Sequence, residues 1–246
     1  MSTSPPLEVV ARTRFRIDAD GVDLHGWTCG AGPPVLLLHA GRENCDVWEP
    51  IAPTIAMNHR RRCVAIDQRG HGASGGVGNR LAEFGDDVAR MLERLGSDVV
   101  VVGASLGGMA AVHALRHQHV ASVVRRIVLV DVVPAPDPSR VRPFLAARGL
   151  DRDDDGLIDD ILRSGSELHR RLAEAQVSVT LVRATDSPLS DRDVERLARS
   201  VHDLAVTTVE SDHLVARHAP DDLAAAIGEA IDATLRAPSA TVTGQR

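Results

Sequence analysis

The segment from Val99 to Gly107 constrains the fold more than any other part of the chain. An unbroken valine run, Val99 to Val102, precedes Gly103-Ala104-Ser105-Leu106-Gly107, and an apolar stretch with helical spacing follows. This order predicts a buried strand, a tight turn that carries Ser105, and a helix. Side chains two residues either side of the serine would collide in such a turn, which is why glycines occupy both positions. The same turn pushes the hydroxyl outward and predicts a serine nucleophile.

Short apolar segments alternate with amphipathic ones along the rest of the chain. An early hairpin is predicted from Phe15–Ile17 and Val22–Trp27 around Asp20-Gly21. Later strands are predicted at Val35–Leu38, Cys63–Ile66, Val99–Val102, Ile127–Val130, Val179–Val182 and Ala205–Val209. This alternation is typical of an α/β fold with a mostly parallel central sheet flanked by helices.

Helix signals lie between these strands. Apolar residues recur three and four positions apart from Leu81 to Leu95, Ser190 and Asp193 fit a capping box, and Pro220 begins a last helix. About forty residues separate the strand ending near Val133 from the next one, enough for a lid of two or three short helices. The predicted organisation is a core over 14–134 and 177–235, a helical lid over 135–176, and flexible tails over 1–13 and 236–246.

Composition narrows the classes of protein. A chain of 246 residues that is 43% hydrophobic and 25% charged can bury a full core as one soluble unit. Neither a membrane span nor a secretion signal is visible, so a cytoplasmic protein without membrane association is expected. The net charge of −6 without a basic patch predicts no nucleic-acid partner. Cys29, Cys45 and Cys63 lack the number and spacing of a disulfide framework or a zinc site. The oligomeric state stays open.

Residues suited to assist a serine nucleophile lie at the ends of the last two predicted strands. Serine attack on an acyl carbon needs a base, an acid that orients the base, and N–H donors for the oxyanion. His213 lies just past the final strand, and Asp186 lies just past the preceding one. Because the carboxyl ends of parallel strands converge at one sheet edge, Ser105, Asp186 and His213 are expected to meet.

Three motifs together resemble the α/β-hydrolase superfamily. They are Leu36-Leu37-Leu38-His39-Ala40-Gly41 followed by Trp48, Asp67-Gln68-Arg69-Gly70-His71-Gly72-Ala73-Ser74, and Gly103 to Met109. The likeness runs from about Val22 to Leu235, and the last motif is similar to that of small esterases and enol-lactonases. The resemblance implies an α/β-hydrolase fold with a short helical lid. It also implies Ser105 as nucleophile, His213 as base, Asp186 as acid, and oxyanion N–H groups from Leu106 and Gly41.

The chain departs from the family pattern at three positions where glycine is usual, namely Ala40, Ala184 and Asp212. Ala40 resists a positive φ, so the loop could present an N–H other than that of Gly41. For the acid, Asp131 after the Ile127 strand is an alternative, because some members of the superfamily place it there. Asp212 is a third candidate.

Candidate pocket residues follow from the same motifs and from the lid. His39, Ala40, Arg42, Trp48 and Phe144 are expected to line a substrate pocket, with Arg42 either gripping a substrate carboxylate or remaining solvated. Phe144→Ala is accordingly expected to change acyl-chain preference more than stability. Apolar lid positions at helical spacing are expected to face Ser105, and these are Val141, Phe144, Leu145, Leu157, Ile158, Ile161 and Leu162. Since aromatic residues are scarce, the pocket walls should be mostly aliphatic.

No metal site is predicted. His113 and His117 are four residues apart on a helix but lack a third ligand. The acidic segment Asp151 to Asp159 matches the first half of a calcium loop, yet Leu162 stands where the bidentate glutamate belongs. A solvated turn is the simpler interpretation, and cation binding there stays an open question.

Taken together, the motifs predict a cofactor-free serine hydrolase that cleaves a small-molecule carboxylic ester or lactone through an acyl-enzyme. Carbon–carbon bond hydrolysis, perhydrolysis and thioester cleavage are alternatives on the same triad. A small-molecule receptor on the same scaffold is an alternative of another class. Serine at the turn argues against the dehalogenase and epoxide-hydrolase branches, which use an aspartate nucleophile.

Overall fold

The computed structural model describes residues 11–151 and 156–236. Its centre is an eight-stranded sheet in the order β1-β2-β4-β3-β5-β6-β7-β8. The strands are β1 Arg12–Asp18, β2 Asp23–Gly30, β3 Pro34–Leu38, β4 Arg62–Ile66, β5 Val99–Ala104, β6 Val124–Val130, β7 Ser178–Ala184 and β8 Leu204–Val209. The hairpin pair β1/β2 and the pair β2/β4 are antiparallel, and the remaining neighbours are parallel. The predicted hairpin and mostly parallel sheet are confirmed.

The helices are α1 Ala52–His59, α2 Leu81–Leu95, α3 Leu106–Ala114, α4 Gln118–Val123, α5 Pro138–Ala147, α6 Leu157–Glu174, α7 Asp191–Ser200, α8 Val215–His218 and α9 Pro220–Arg236. A 3₁₀ helix spans Cys45–Trp48. The predicted capping box is present at α7, where the Ser190 side chain accepts from the Asp193 N–H and the Asp193 side chain accepts from the Ser190 N–H.

Two apolar layers cover the two faces of the sheet because strand side chains alternate. Leu36 and Leu38 of β3 point into the layer formed with α2 and α3. Val35 and Leu37 point into the opposite layer, which α1 and α9 close. The central strands β3 and β5 are buried along their whole length. The carboxyl ends of these strands are therefore held in place by packing on both faces of the sheet.

The segment between β6 and β7 contains α5 and α6. In α6, Leu168 and Leu172 are buried in the core, so this helix is anchored along its second half. In α5 no side chain is buried, and Pro143 lies inside the helix. Every described side chain of α5 is therefore at least partly exposed.

Several predictions concern residues at the margins of the described chain. Most of the tails predicted over 1–13 and 236–246 lie outside the described residues, although Arg12 and Thr13 belong to β1 and Arg236 ends α9. Residues 152–155 of the acidic segment also lie outside them. Across the described ranges, no helix is both long and apolar enough to cross a membrane. All three cysteines are buried with free thiols in the layer that α1 and α9 close.

Candidate active site

The turn between β5 and α3 has the predicted strained geometry. Ser105 adopts φ 45° and ψ −109°, a conformation that L-residues rarely take. A Cβ atom at Gly103 would lie 2.4 Å from the Gly108 nitrogen, and one at Gly107 would lie 2.5 Å from the Leu38 carbonyl oxygen. Both positions therefore require glycine, for the steric reason that the sequence pattern indicated.

His213 connects Ser105 to a buried carboxylate. Its Nε2 lies 3.1 Å from Ser105 Oγ, and its Nδ1 lies 2.8 Å from Asp131 Oδ2. A carboxylate accepts hydrogen bonds, so Nδ1 carries the proton and Nε2 is left to accept the serine proton. The three side chains form the relay that serine attack requires.

The prediction that Asp186 is the acid is wrong. The carboxylate that bonds His213 Nδ1 belongs to Asp131. Asp131 directly follows β6, adopts a left-handed φ of 50°, and is 1% exposed. Its Oδ1 accepts hydrogen bonds from the Ala184 N–H at 3.0 Å and the Ser187 hydroxyl at 2.6 Å. The loop after β7 thus wraps around the Asp131 carboxylate, and Asp186, between these two donors, points outward.

Asp186 and Asp212 have other partners. Asp186 is 57% exposed at its side chain, and its Oδ2 accepts from the Arg148 guanidinium at 2.5 Å. Asp212 accepts from the Leu214 N–H and pairs with His218. Ser187, which fixes Asp131, was not singled out from the sequence, and no local pattern around it indicates that role.

The loop after β3 carries one candidate for the oxyanion site. Gly41 and Leu106 both line the cavity beside Ser105, and a Cβ on Gly41 would lie 3.9 Å from the Leu106 side chain. Leu106 is also the first residue of α3, where unpaired N–H groups and the helix dipole favour negative charge. The left-handed residue of the loop is Arg42, with φ 66°, so alanine at position 40 is accommodated. Gly41 and Leu106 remain predicted donors.

Glu43 stabilises the loop after β3 through its buried carboxylate, a role that the sequence did not indicate. It is 8% exposed, and its carboxylate accepts from the Ala40 N–H and from Arg217 Nε, each at 3.3 Å. Burial raises the pKa of Glu43, against the opposing effects of the Ala40 N–H and Arg217. The Ala40 N–H is therefore engaged with Glu43 and is not available to an oxyanion beside Ser105.

Three predicted pocket residues do not line the cavity. His39 is fully buried, and its ring bonds the Ala40 carbonyl at 2.7 Å and accepts from the Gln68 N–H at 3.0 Å. Trp48 is fully buried in the layer closed by α1 and α9. Phe144 packs instead against the His213 ring, with centroids 5.8 Å apart and an interplanar angle of 80°. Ala40 and Arg42 do line the cavity.

Burial lowers the pKa of His39 from 6.5 to about 4. The unfolded chain therefore binds the proton more tightly than the folded protein, and stability should fall as pH drops through this window. We expect the free energy of unfolding to decrease by about 2 kcal/mol from this group between about pH 7 and pH 5. Urea titrations at both pH values check this. His39→Gln should lose that portion of the pH dependence, exposed His202→Gln is the control, and equal pH dependence in all three proteins would contradict it.

The cavity in front of Ser105 has a volume of about 430 Å³. Its walls are mostly aliphatic, as expected, and most come from the lid and the loops beside it. The apolar wall residues include Met109, Val132, Val141, Leu145, Leu150, Leu157, Ile158, Ile161, Leu162, Leu189 and Leu214. At the mouth, Arg42 donates to the Gly149 carbonyl at 2.8 Å. The cavity is therefore compact and mostly apolar.

The loop from Asp67 to Ser74 is structural. Asp67 accepts from the Cys45 N–H at 2.7 Å and the Ala73 N–H at 2.8 Å. Arg69 lies beside the cavity but donates from two nitrogens to Asp87, each at 2.7 Å. These contacts fix the loop that forms one cavity wall.

Acidic and histidine-rich segments away from Ser105 form ion pairs. His117 pairs with Asp86, and Asp159 pairs with Arg142. Within residues 11–151 and 156–236, no group of three or more His, Cys, Asp or Glu side chains is arranged to hold a metal ion.

A family model of the alpha/beta hydrolase fold matches residues 33–208, more than half of the chain. Together with the sheet order and the turn at Ser105, this match establishes that the chain belongs to the α/β-hydrolase fold family. The predicted fold class is therefore confirmed.

The chain is similar to two curated enzymes over a little under half of its length. It is 32% identical over 122 residues to a 2-(acetamidomethylene)succinate hydrolase of Mesorhizobium japonicum, covering 48% of this chain and 42% of that protein. It is 31% identical over 112 residues to a pimeloyl-[acyl-carrier protein] methyl ester esterase of Vibrio vulnificus, covering 46% of this chain and 42% of that protein. The matched region thus spans less than half of each relative.

A solved esterase from Exiguobacterium antarcticum has the same fold, with a TM-score of 0.69 and 17% identity, covering 87% of this chain and 97% of that chain. At this identity the likeness concerns the fold alone.

Proposed function

We propose that the protein is a serine hydrolase that cleaves a small carboxylic ester or lactone through an acyl-enzyme. The observation that carries the proposal is the continuous relay from Ser105 Oγ through His213 to Asp131 in the wall of an apolar cavity. The esterase and hydrolase relatives support the same reaction class.

In the acylation step, Ser105 Oγ attacks the carbonyl carbon while His213 Nε2 takes the hydroxyl proton. Asp131 accepts from Nδ1 and stabilises the imidazolium that forms. The oxyanion lies at the N-terminus of α3, where the Leu106 and Gly41 N–H groups stabilise its charge. His213 then protonates the leaving alkoxide, and the acyl group stays on Ser105.

In the deacylation step, the same groups act on water. His213 takes a proton from a water molecule that attacks the acyl carbon, and the second tetrahedral intermediate collapses. The proton returns to Ser105 Oγ, and the carboxylic acid leaves. For a lactone, acid and alcohol leave as one hydroxy acid. The cycle consumes one water and needs no cofactor.

The cavity sets the size of the substrate. Its volume of about 430 Å³ lies toward the lower end of ligand pockets, which span about 300–1,000 Å³. We expect kcat/KM to be highest for short to medium acyl chains and to be poor for chains of about sixteen carbons, which such a cavity cannot enclose.

A larger side chain in the cavity wall should reduce the acyl-chain length at which kcat/KM is highest. Ile161 lines the cavity from α6, so Ile161→Trp should move the optimum to shorter acyl chains. Arg163 is exposed on the same helix, and Arg163→Trp is the matched control. An optimum at about sixteen carbons, or an equal shift in both variants, would contradict this account of the pocket.

The reaction class is tested by steady-state kinetics of the purified protein with matched panels of carboxylic esters, lactones, thioesters and amides. Ester or lactone hydrolysis that saturates and is lost in Ser105→Ala supports the proposal. Binding of these compounds without turnover would favour the receptor alternative, and turnover confined to thioesters would move the protein to another class of hydrolase.

A further inference from the structure

Four side chains link the lid to the active site in one continuous chain of contacts. Asp186 Oδ2 accepts from the Arg148 guanidinium at 2.5 Å, and that guanidinium lies 3.6 Å from the centre of the Phe144 ring. The Phe144 ring in turn packs edge-to-face against His213. We call Asp186, Arg148 and Phe144 the lid latch.

The lid latch holds the C-terminal end of α5 in place. Phe144 lies within α5, and Arg148 directly follows that helix. Because α5 buries no side chain in the core, apolar burial does little to fix it. Arg148 holds this end of the helix through Asp186 on the body and also donates to the Phe144 carbonyl at 3.4 Å. Arg42 adds one further contact from the body, to the Gly149 carbonyl.

The lid latch also helps to fix the orientation of the His213 ring. Asp131 holds that ring at Nδ1, whereas the hydrogen bond between Nε2 and Ser105 Oγ must break during the reaction, so packing against the ring helps to keep its orientation. Nε2 must stay aligned first with Ser105 Oγ and then with the leaving group, and small misplacements are costly in such transfers. A perpendicular aromatic ring packed against the imidazole restricts its tilt and excludes water from that face.

We propose that Asp186 and Arg148 are positioning residues, whose ion pair holds Phe144 against His213 and thereby couples placement of the lid to the reactivity of Ser105. The inference rests on the proposed serine-hydrolase function and extends it. The resemblance implied Asp186 as the triad acid; in this proposal Asp186 acts on the base indirectly, through Arg148 and Phe144. An ion pair this exposed adds little to global stability, so its effect should be on kinetics.

The structure offers a matched control for the ion pair. Asp159 on α6 pairs with Arg142 of α5, just as Asp186 pairs with Arg148, but neither Asp159 nor Arg142 lines the cavity or contacts His213. Asp186→Asn and Asp159→Asn each remove one charge opposite an arginine of the lid. A general effect of loosening the lid would appear in both variants.

The experiment measures three quantities for wild type, Asp186→Asn, Arg148→Gln, Phe144→Leu, the Asp186→Asn/Phe144→Leu double variant and Asp159→Asn. These are the rate of labelling by a fluorophosphonate, kcat and KM for a short ester, and Tm. We expect Asp186→Asn and Arg148→Gln to lower the labelling rate and kcat by about three- to tenfold, with Tm and KM little changed. Asp159→Asn should match wild type.

The double variant decides whether the ion pair acts through the ring. If it does, Asp186→Asn should have no further effect once Phe144 is leucine. Multiplying defects, or an Asp186→Asn variant that behaves like Asp159→Asn, would overturn the latch while leaving the proposed function intact. A wild-type protein that neither labels nor hydrolyses esters would overturn the proposed function, and the latch with it.

Discussion

Ser105→Ala is expected to abolish hydrolysis while the protein stays folded. The substitution deletes one hydroxyl, whose contact in the structure is His213 Nε2 at 3.1 Å. The strained φ of 45° is shared by serine and alanine at this position, so no new backbone cost arises. Removing the nucleophile of a serine hydrolase lowers kcat by up to about 10⁶-fold. Steady-state kinetics and circular dichroism of the purified variant check both parts of this prediction.

His213→Ala provides the companion measurement. The nucleophile and its base act as a unit, so the double variant should be scarcely slower than either single one. A Ser105→Ala protein that kept a tenth of wild-type turnover would show that another group attacks the substrate. Multiplicative losses in the double variant would show that the two residues act independently.

Asp131→Asn is expected to lower kcat by about 10³- to 10⁴-fold with the fold retained. Asp131 Oδ1 accepts from the Ala184 N–H and the Ser187 hydroxyl, so the amide oxygen of asparagine will take that side. The amide NH₂ then faces His213 and donates to Nδ1, which places the ring proton on Nε2. In that tautomer His213 cannot accept the proton of Ser105, and the imidazolium loses its counter-charge.

Asp186→Asn is the control for this prediction, since the same change at position 186 removes only the partly exposed ion pair with Arg148. We expect a gap of at least about a hundredfold in kcat between the two variants. Full pH–rate profiles of both should accompany the comparison. The opposite ranking would return the role of the acid to Asp186 and would require the loop after β7 to turn inward.

The sheet and the turn at Ser105 were predictable because their causes are local. The valine run of β5 is buried on both faces. Glycine is required at positions 103 and 107 because a Cβ atom there would collide with nearby backbone atoms. The resemblance of three motifs then ordered these elements into one fold. Ser105 and His213 could be placed for the same reason, since each lies within a few residues of the carboxyl end of a parallel strand.

The acid was harder to predict, because Asp131 and Asp186 both follow neighbouring strands at that edge. The choice depends on how the loop after β7 folds back, and that is set by two hydrogen bonds to Asp131 from residues more than fifty positions away. The contact of Phe144 with His213 was also not predictable from the sequence. The spacing of Phe144 predicts an apolar lid position, but its contact with His213 depends on how α5 docks, which the helical pattern does not encode.

The most direct test of the account is the site of reaction with a fluorophosphonate, read by intact mass and peptide mapping. The account predicts a single adduct on Ser105, absent from Ser105→Ala and strongly slowed in both His213→Ala and Asp131→Asn. Asp186→Asn should still label, at a rate reduced about three- to tenfold. A wild-type protein that stays unlabelled, or an adduct that persists in Ser105→Ala, would contradict the central claim that Ser105 is a nucleophile activated by His213 and Asp131.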